Sequence, residues 1–278
     1  MPKPGLFALL ALAFAQVGQG QVSAASETYR GLPAVDEEGN SYTQSGLADL
    51  ALYEGRYADA EKLLAAGADA DVKATVPDKA ASKFAALAGV RLLRQRKAEA
   101  ISASEQALAN SQAVKIRFLA AQALIEAGSL EKARALSKGL AAELQAEPQA
   151  YAAILDGLDA LSRKDARQAI KSLTAANTML DTWIGHYHLG RAYLEAGVFP
   201  QADSEFDRCL NRRGEALALF LDEEPTYGIF PNVYFYQGRV REGLKSTNFA
   251  DSYRAYLAIR GASTDDPLVA EARRRAAK

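Results

Sequence analysis

At 278 residues, 49% of them apolar and 24% charged, the chain is long enough for one extended repeat domain or two compact ones and too apolar to be a disordered tail. Its 33 Lys and Arg offset 34 Asp and Glu, so it lacks the basic surplus or stripe that nucleic-acid binding requires. A single cysteine, Cys209, excludes an internal disulfide and any zinc site built on several cysteines.

The N-terminal residues 1–24 are expected to be an export signal. Lys3 supplies a weak positive start, Leu6 to Ala15 is an apolar run, and Val22-Ser23-Ala24 offers small residues for cleavage after Ala24. The run is too short to span a bilayer, which takes about 20 residues, and no later segment could cross one. No cysteine follows to carry a lipid anchor. The alternative is an N-terminus that is disordered or buried in the fold. Residues 25–40 read as an extension. Export implies a periplasmic or secreted location.

From residue 41 to 262 abundant alanine and sparse β-branched residues favour helices, and small residues recur in one register. A small residue on a first helix is followed twelve positions later by alanine on a second: Ala48 and Ala60, Ala88 and Ala100, Ala121 and Ala133, Gly157 and Ala169, Gly190 and Ala202. Seven residues further on come Gly67, Ala107, Leu140, Ala176 and Cys209. Antiparallel helices joined by a short turn approach closely only where side chains are small, so such a register predicts stacked hairpins. Gly55, Gly128 and Gly197 fall between the paired helices, where a left-handed residue suits glycine. Gln95 and Lys164 hold that place in the second and fourth copies.

Successive copies start near Ser41, Ala81, Val114, Ala150 and Trp183, spaced 40, 33, 36 and 33 residues apart. The longer first interval leaves a loop around Ala70 to Asp78, with Pro77 and Asp78 opening the next helix. The fifth copy is the most regular: Leu189-Gly190, Tyr193, Gly197, Phe199, Ala202, Phe206 and Cys209 fill nearly every landmark of a tetratricopeptide motif, whose period is about 34 residues. The chain is thereby identified as resembling tetratricopeptide proteins. That resemblance implies an all-α, right-handed α–α superhelix of about six helical hairpins. A looser sixth copy runs from Pro231 through Gly238 to Tyr256, after an insertion at 211–230. Thr264-Asp265-Asp266-Pro267 opens a closing helix that ends in Arg273-Arg274-Arg275, and residues 263–278 read as a cap.

From Gly46 to Arg275 the sequence also resembles the repeat region that follows the catalytic domain of some bacterial eukaryotic-like serine/threonine kinases. Asp181-Thr182-Trp183, Leu189 to Gly197, Ser204-Glu205-Phe206, Arg212 to Ala216, Phe220 to Tyr227, Val233 to Leu244 and Asp266 to Ala270 carry the likeness. No kinase motif precedes the repeats. The resemblance therefore implies a sensor or scaffold module without phosphotransfer.

Catalytic motifs are missing too: there is no Gly-x-Ser-x-Gly, His-Glu-x-x-His or phosphate loop. His186 and His188, two apart on a helix, point about 200° from each other and cannot share a metal. Cys209, at a small-residue site, is expected to be an inert buried thiol. The expectation is a non-enzyme without cofactor or metal, binding a protein or peptide partner on the inner face of the superhelix. Helical phase puts Tyr53, Phe118, Gln122, Tyr151, Tyr187, Arg191, Glu195, Phe235 and Arg239 there, aromatic and arginine types that anchor peptides. The competing expectation is a solvated face with half-buried rings. Arg212, Arg213, Glu223, Glu224 and Tyr227 in the insertion are a second candidate site, unless that segment only plugs a gap. An envelope-assembly or cell-wall accessory factor and a cryptic hydrolase are the other functional readings.

Overall fold

The structure, a computed structural model, describes residues 4–34, 38–218 and 227–277. Within them the chain forms helices and turns without a strand. The hairpins are α1 (Leu6–Gly18) with α2 (Val22–Gly31), α3 (Gly39–Tyr53) with α4 (Tyr57–Lys73), and α5 (Pro77–Leu93) with α6 (Lys97–Asn110). They continue as α7 (Val114–Ala127) with α8 (Leu130–Ala141), α9 (Ala146–Ser162) with α10 (Ala166–Met179), and α11 (Trp183–Glu195) with α12 (Phe199–Asn211). After the short α13 (Glu215–Ala218) and a 3₁₀ turn at Tyr227–Ile229 come α14 (Pro231–Gly243), α15 (Phe249–Arg260) and the cap α16 (Leu268–Ala276). Each second helix packs on the next first helix. This is a tetratricopeptide-type right-handed solenoid.

Packing follows the small-residue register. Ala48, Ala60, Ala88, Ala100, Ala121, Ala133, Ala169 and Ala202 are all buried. At Gly157 a Cβ would stand 2.6 Å from Leu173 Cγ, and at Gly190 one would stand 2.9 Å from the Phe206 ring. Larger side chains there would push the paired helices apart.

The turns between paired helices share one left-handed residue. Gly55, Gly128 and Gly197 hold it with φ of 76°, 91° and 71°, and Gln95 and Lys164 take the same conformation at 62° and 61°. A left-handed L-residue costs about 1–2 kcal/mol, and glycine's extra chain entropy returns about half of that. Gln95→Gly and Lys164→Gly should each raise stability by about 0.5–1 kcal/mol, read from urea unfolding midpoints.

The apolar N-terminal run is itself a hairpin in the same register. Ala13 and Ala25 lie twelve residues apart, both fully buried, and Gly20 between them turns with φ 77°, as Gly55 does between Ala48 and Ala60. Tyr29 of α2 packs where Gly46 of α3 has no side chain, since a Cβ there would meet its ring at 2.5 Å. The Thr43 hydroxyl donates to the Tyr29 carbonyl at 2.7 Å. Outward, α1 leaves Phe7 and Leu12 exposed.

A buried polar junction ties three helices near the start. Lys83 of α5 donates to Asp71 of α4 at 2.6 Å and to the Ser41 hydroxyl of α3 at 2.7 Å. The Ser41 hydroxyl in turn donates to Asp71 at 3.0 Å.

The solenoid then closes on itself. Arg260, at the end of α15 and 1% exposed, donates to the carbonyls of Tyr53 (3.1 Å), Leu52 (3.0 Å) and Gly228 and to the Tyr57 hydroxyl (3.0 Å). It also meets Asn232 (2.9 Å) and Asp266 (2.8 Å). Nearby, the Ser263 hydroxyl donates to the Gly55 carbonyl at 2.6 Å, and Asp265 accepts from the Ala58 amide at 2.9 Å. The Gly228 amide donates to Asp49 of α3 at 2.8 Å. The last hairpin thus meets the α3–α4 turn, and the stack becomes a ring.

Candidate functional site

Closing the ring squeezes its inner face, and the expected groove residues divide by type. Tyr53, Phe118, Tyr151 and Tyr187 are buried, 2–6% exposed. Phe118 stacks on Tyr151 at 4.5 Å between ring centroids, and Tyr187 stacks on Trp183 at 5.5 Å. Phe235 points elsewhere. It lies three residues before Gly238, on the helix face that meets α15, and packs against Tyr253 and Tyr256 at 5.8 and 5.6 Å. Arg239 leans toward the cap, 3.8 Å from Glu271. Gln122, Arg191 and Glu195 keep accessible surface.

Gln122 hydrogen-bonds Glu126, its neighbour one turn along α7, and the Arg191 charge on α11 acts on Glu126. Arg191 contacts His188 Nδ1 at 3.3 Å and lies 5.8 and 5.6 Å from the ring centroids of Tyr187 and Tyr236. Among the described residues no carboxylate comes within 4 Å of this guanidinium. His188 is buried, and burial together with the Arg191 charge holds its imidazole well below the usual histidine value, so the ring is neutral. Its Nε2 and the Gln122 Oε1 have no hydrogen-bond partner. Buried polar atoms normally find one.

Glu126 keeps accessible surface yet is ringed by protein. Desolvation raises its pKa, and Arg191 only partly opposes that. A carboxyl whose folded pKa is raised adds stability below its unfolded value, about 4.3, and loses it as pH rises through the folded value. Glu126→Gln should therefore match wild type in urea unfolding at pH 4 and exceed it at pH 8.

His186 is a structural junction. Its Nδ1 faces Glu205 at 2.5 Å and its Nε2 faces Asp181 at 2.7 Å. Arg212 binds Asp181 and Glu215, and Arg213 lies 4.8 Å from the Phe230 ring centroid. Arg212 ties the insertion to the turn between α10 and α11, and Arg213 lies against the insertion's last residue. Glu223, Glu224 and the Tyr227 side chain lie outside the described residues. Cys209 is buried, which raises its thiol pKa, and its carbonyl accepts from Trp183 Nε1 at 2.9 Å. Among the described residues no cluster of His, Cys, Asp and Glu could hold a metal ion, and no helix is long and apolar enough to cross a membrane.

Helical phase alone marks Gln122 and Arg191 but not Glu126, His188 or Tyr236. Glu126 was within reach, because it follows Gln122 by four residues on one helix face.

The architecture is similar to that of solved tetratricopeptide proteins. A tetratricopeptide repeat protein from Parabacteroides merdae superposes with a TM-score of 0.53 at 12% identity, over 97% of this chain and 98% of that one. The APC/C hetero-tetramer Cut9–Hcn1 gives 0.49 at 14% identity, over 98% of this chain and 48% of that one. The TPR2AB domain of yeast Sti1 in complex with pHSP90 gives 0.37 at 14% identity, over 97% and 96%. The first likeness shows the fold. No protein-family model and no curated protein matches the sequence.

Proposed function

We propose that this protein is a non-catalytic scaffold that holds a peptide or protein segment against the inner face of its ring. The observation that carries this reading is the patch of Gln122, Glu126, His188 and Arg191. It combines a guanidinium with no carboxylate in contact among the described residues with two buried polar atoms that lack partners, and a bound segment would supply the guanidinium's counter-charge. A partner carboxylate would pair with Arg191, and the half-buried Tyr236 ring would supply apolar contact.

Affinity capture with wild type and an Arg191→Glu variant, matched for helicity by circular dichroism, tests it. Charge reversal should cut partner recovery at least tenfold. Equal recovery of the same partners from both would rule out the inner face.

Export is part of the proposal, supported by the apolar run before Ala24, and the kinase-type resemblance supports a sensing or scaffolding module. A second reading is favoured by the register of Ala13, Gly20 and Ala25: residues 6–31 stay in place as a first hairpin, since cleavage after Ala24 would remove α1 and cut into α2. Intact-mass measurement of protein from its native host separates the two, because the mature chain begins at Ala25 in one case and retains α1 in the other.

A further inference from the structure

Where the last hairpin meets the α3–α4 hairpin, polar contacts gather around one side chain. Arg260 supplies three hydrogen bonds to α3 and α4 and three more to Gly228, Asn232 and Asp266 on its own side, while Ser263, Asp265 and Asp49 add one each across the seam. The receiving surface is largely backbone: the carbonyls of Leu52, Tyr53 and Gly55 and the first turn of α4. The contacts that residues 260–266 make with α3 and α4 are hydrogen bonds and the approach of Arg260 to the Tyr57 ring, and segments held this way open at lower free energy than packed helices. The segment is also self-contained. Asp266 fixes Arg260 from within the same segment, and its Oδ1 accepts the Leu268 amide at 2.9 Å to start α16.

We propose that Arg260–Asp266 is a strap that closes the ring and releases the α3–α4 turn as a unit, without unfolding the other hairpins. Release uncovers Tyr53 and Tyr57, 4% and 1% exposed while the strap is shut, and widens access to the inner face. This holds whether or not Arg191 binds a partner.

Native-state hydrogen exchange on the full chain tests it, with the Gly228 amide, bonded to Asp49 across the seam, as the reporter. In wild type it should exchange at least tenfold faster than the central amides of α9 and α10. A Ser263→Ala, Asp265→Ala variant loses only partly exposed or exposed contacts and should speed Gly228 a further tenfold. In both proteins Gly228 exchange should rise less steeply with added urea than that of the α9 and α10 amides, because strap opening exposes less surface than unfolding. The proposal is overturned if Gly228 exchanges with the α9 and α10 amides in wild type. It is equally overturned if Gly228 exchange rises with urea as steeply as that of the α9 and α10 amides, because the ring would then open only by unfolding.

Discussion

Replacing Arg260 with alanine should lower stability by about 3–5 kcal/mol, the usual cost of breaking a buried, fully bonded charge pair by removing one partner. Truncation leaves Asp266, itself buried, without its counter-charge and strips donors from three carbonyls enclosed in the seam. Arg260→Lys should recover little, since one ammonium carries three donors on a point charge and cannot span the fork of contacts that the guanidinium makes. Equilibrium urea unfolding measures the loss. The same pair predicts an acid limb. Arg260 holds the Asp266 carboxyl below the usual aspartate value against the opposing effect of burial, helped by the Tyr256 hydroxyl. A carboxyl with a depressed folded pKa gives stability that is complete above its unfolded value, about 3.9, and is lost as pH falls through the folded one. Wild type should therefore lose seam stability in acid, and the Arg260→Ala variant should show a flatter pH dependence there.

Lys83→Ala is expected to cost a similar 3–5 kcal/mol, for a related reason at the opposite end of the α3–α4 hairpin. The Lys83 side chain is fully buried and Asp71 nearly so. Together with Ser41 they form a closed set in which each hydrogen bond is matched. Alanine would strand the Asp71 carboxylate between three helices and empty the space of a lysine stem that packs against Gly67. Lys83→Met, paired with Asp71→Leu, should restore most of the loss, because an apolar pair of similar volume removes both desolvation costs. Urea unfolding of the two single variants and the pair gives the coupling directly.

Local geometry was legible in the sequence and closure was not. The register of Ala48, Ala60 and their successors reports a constraint between helices a dozen residues apart, so it survives in the order of residue types. The turn at Gln95 and Lys164 could be located because the glycine copies fixed its place. The hairpin α1–α2 carries the same signal in Ala13, Gly20 and Ala25, yet α1 is apolar on every side, which hides the 3.6-residue period and reads as an export segment. The seam joins Arg260 to Tyr53 across 207 residues through backbone carbonyls, which leave no residue-type trace. Phase points Phe118, Tyr151 and Tyr187 inward, and the structure buries all three against neighbouring side chains. Phe235 needed the contact at Gly238 to assign its face.

The closed ring is tested most directly by a cysteine pair at Ala58 and Asp265, whose backbone amide and carboxylate lie 2.9 Å apart at 207 residues' separation, in a Cys209→Ala background. Mild oxidation of the native protein should link the two within one chain and in high yield. Links that form only between chains, or only after the fold is disrupted, would contradict a solenoid whose last hairpin rests on its α3–α4 turn.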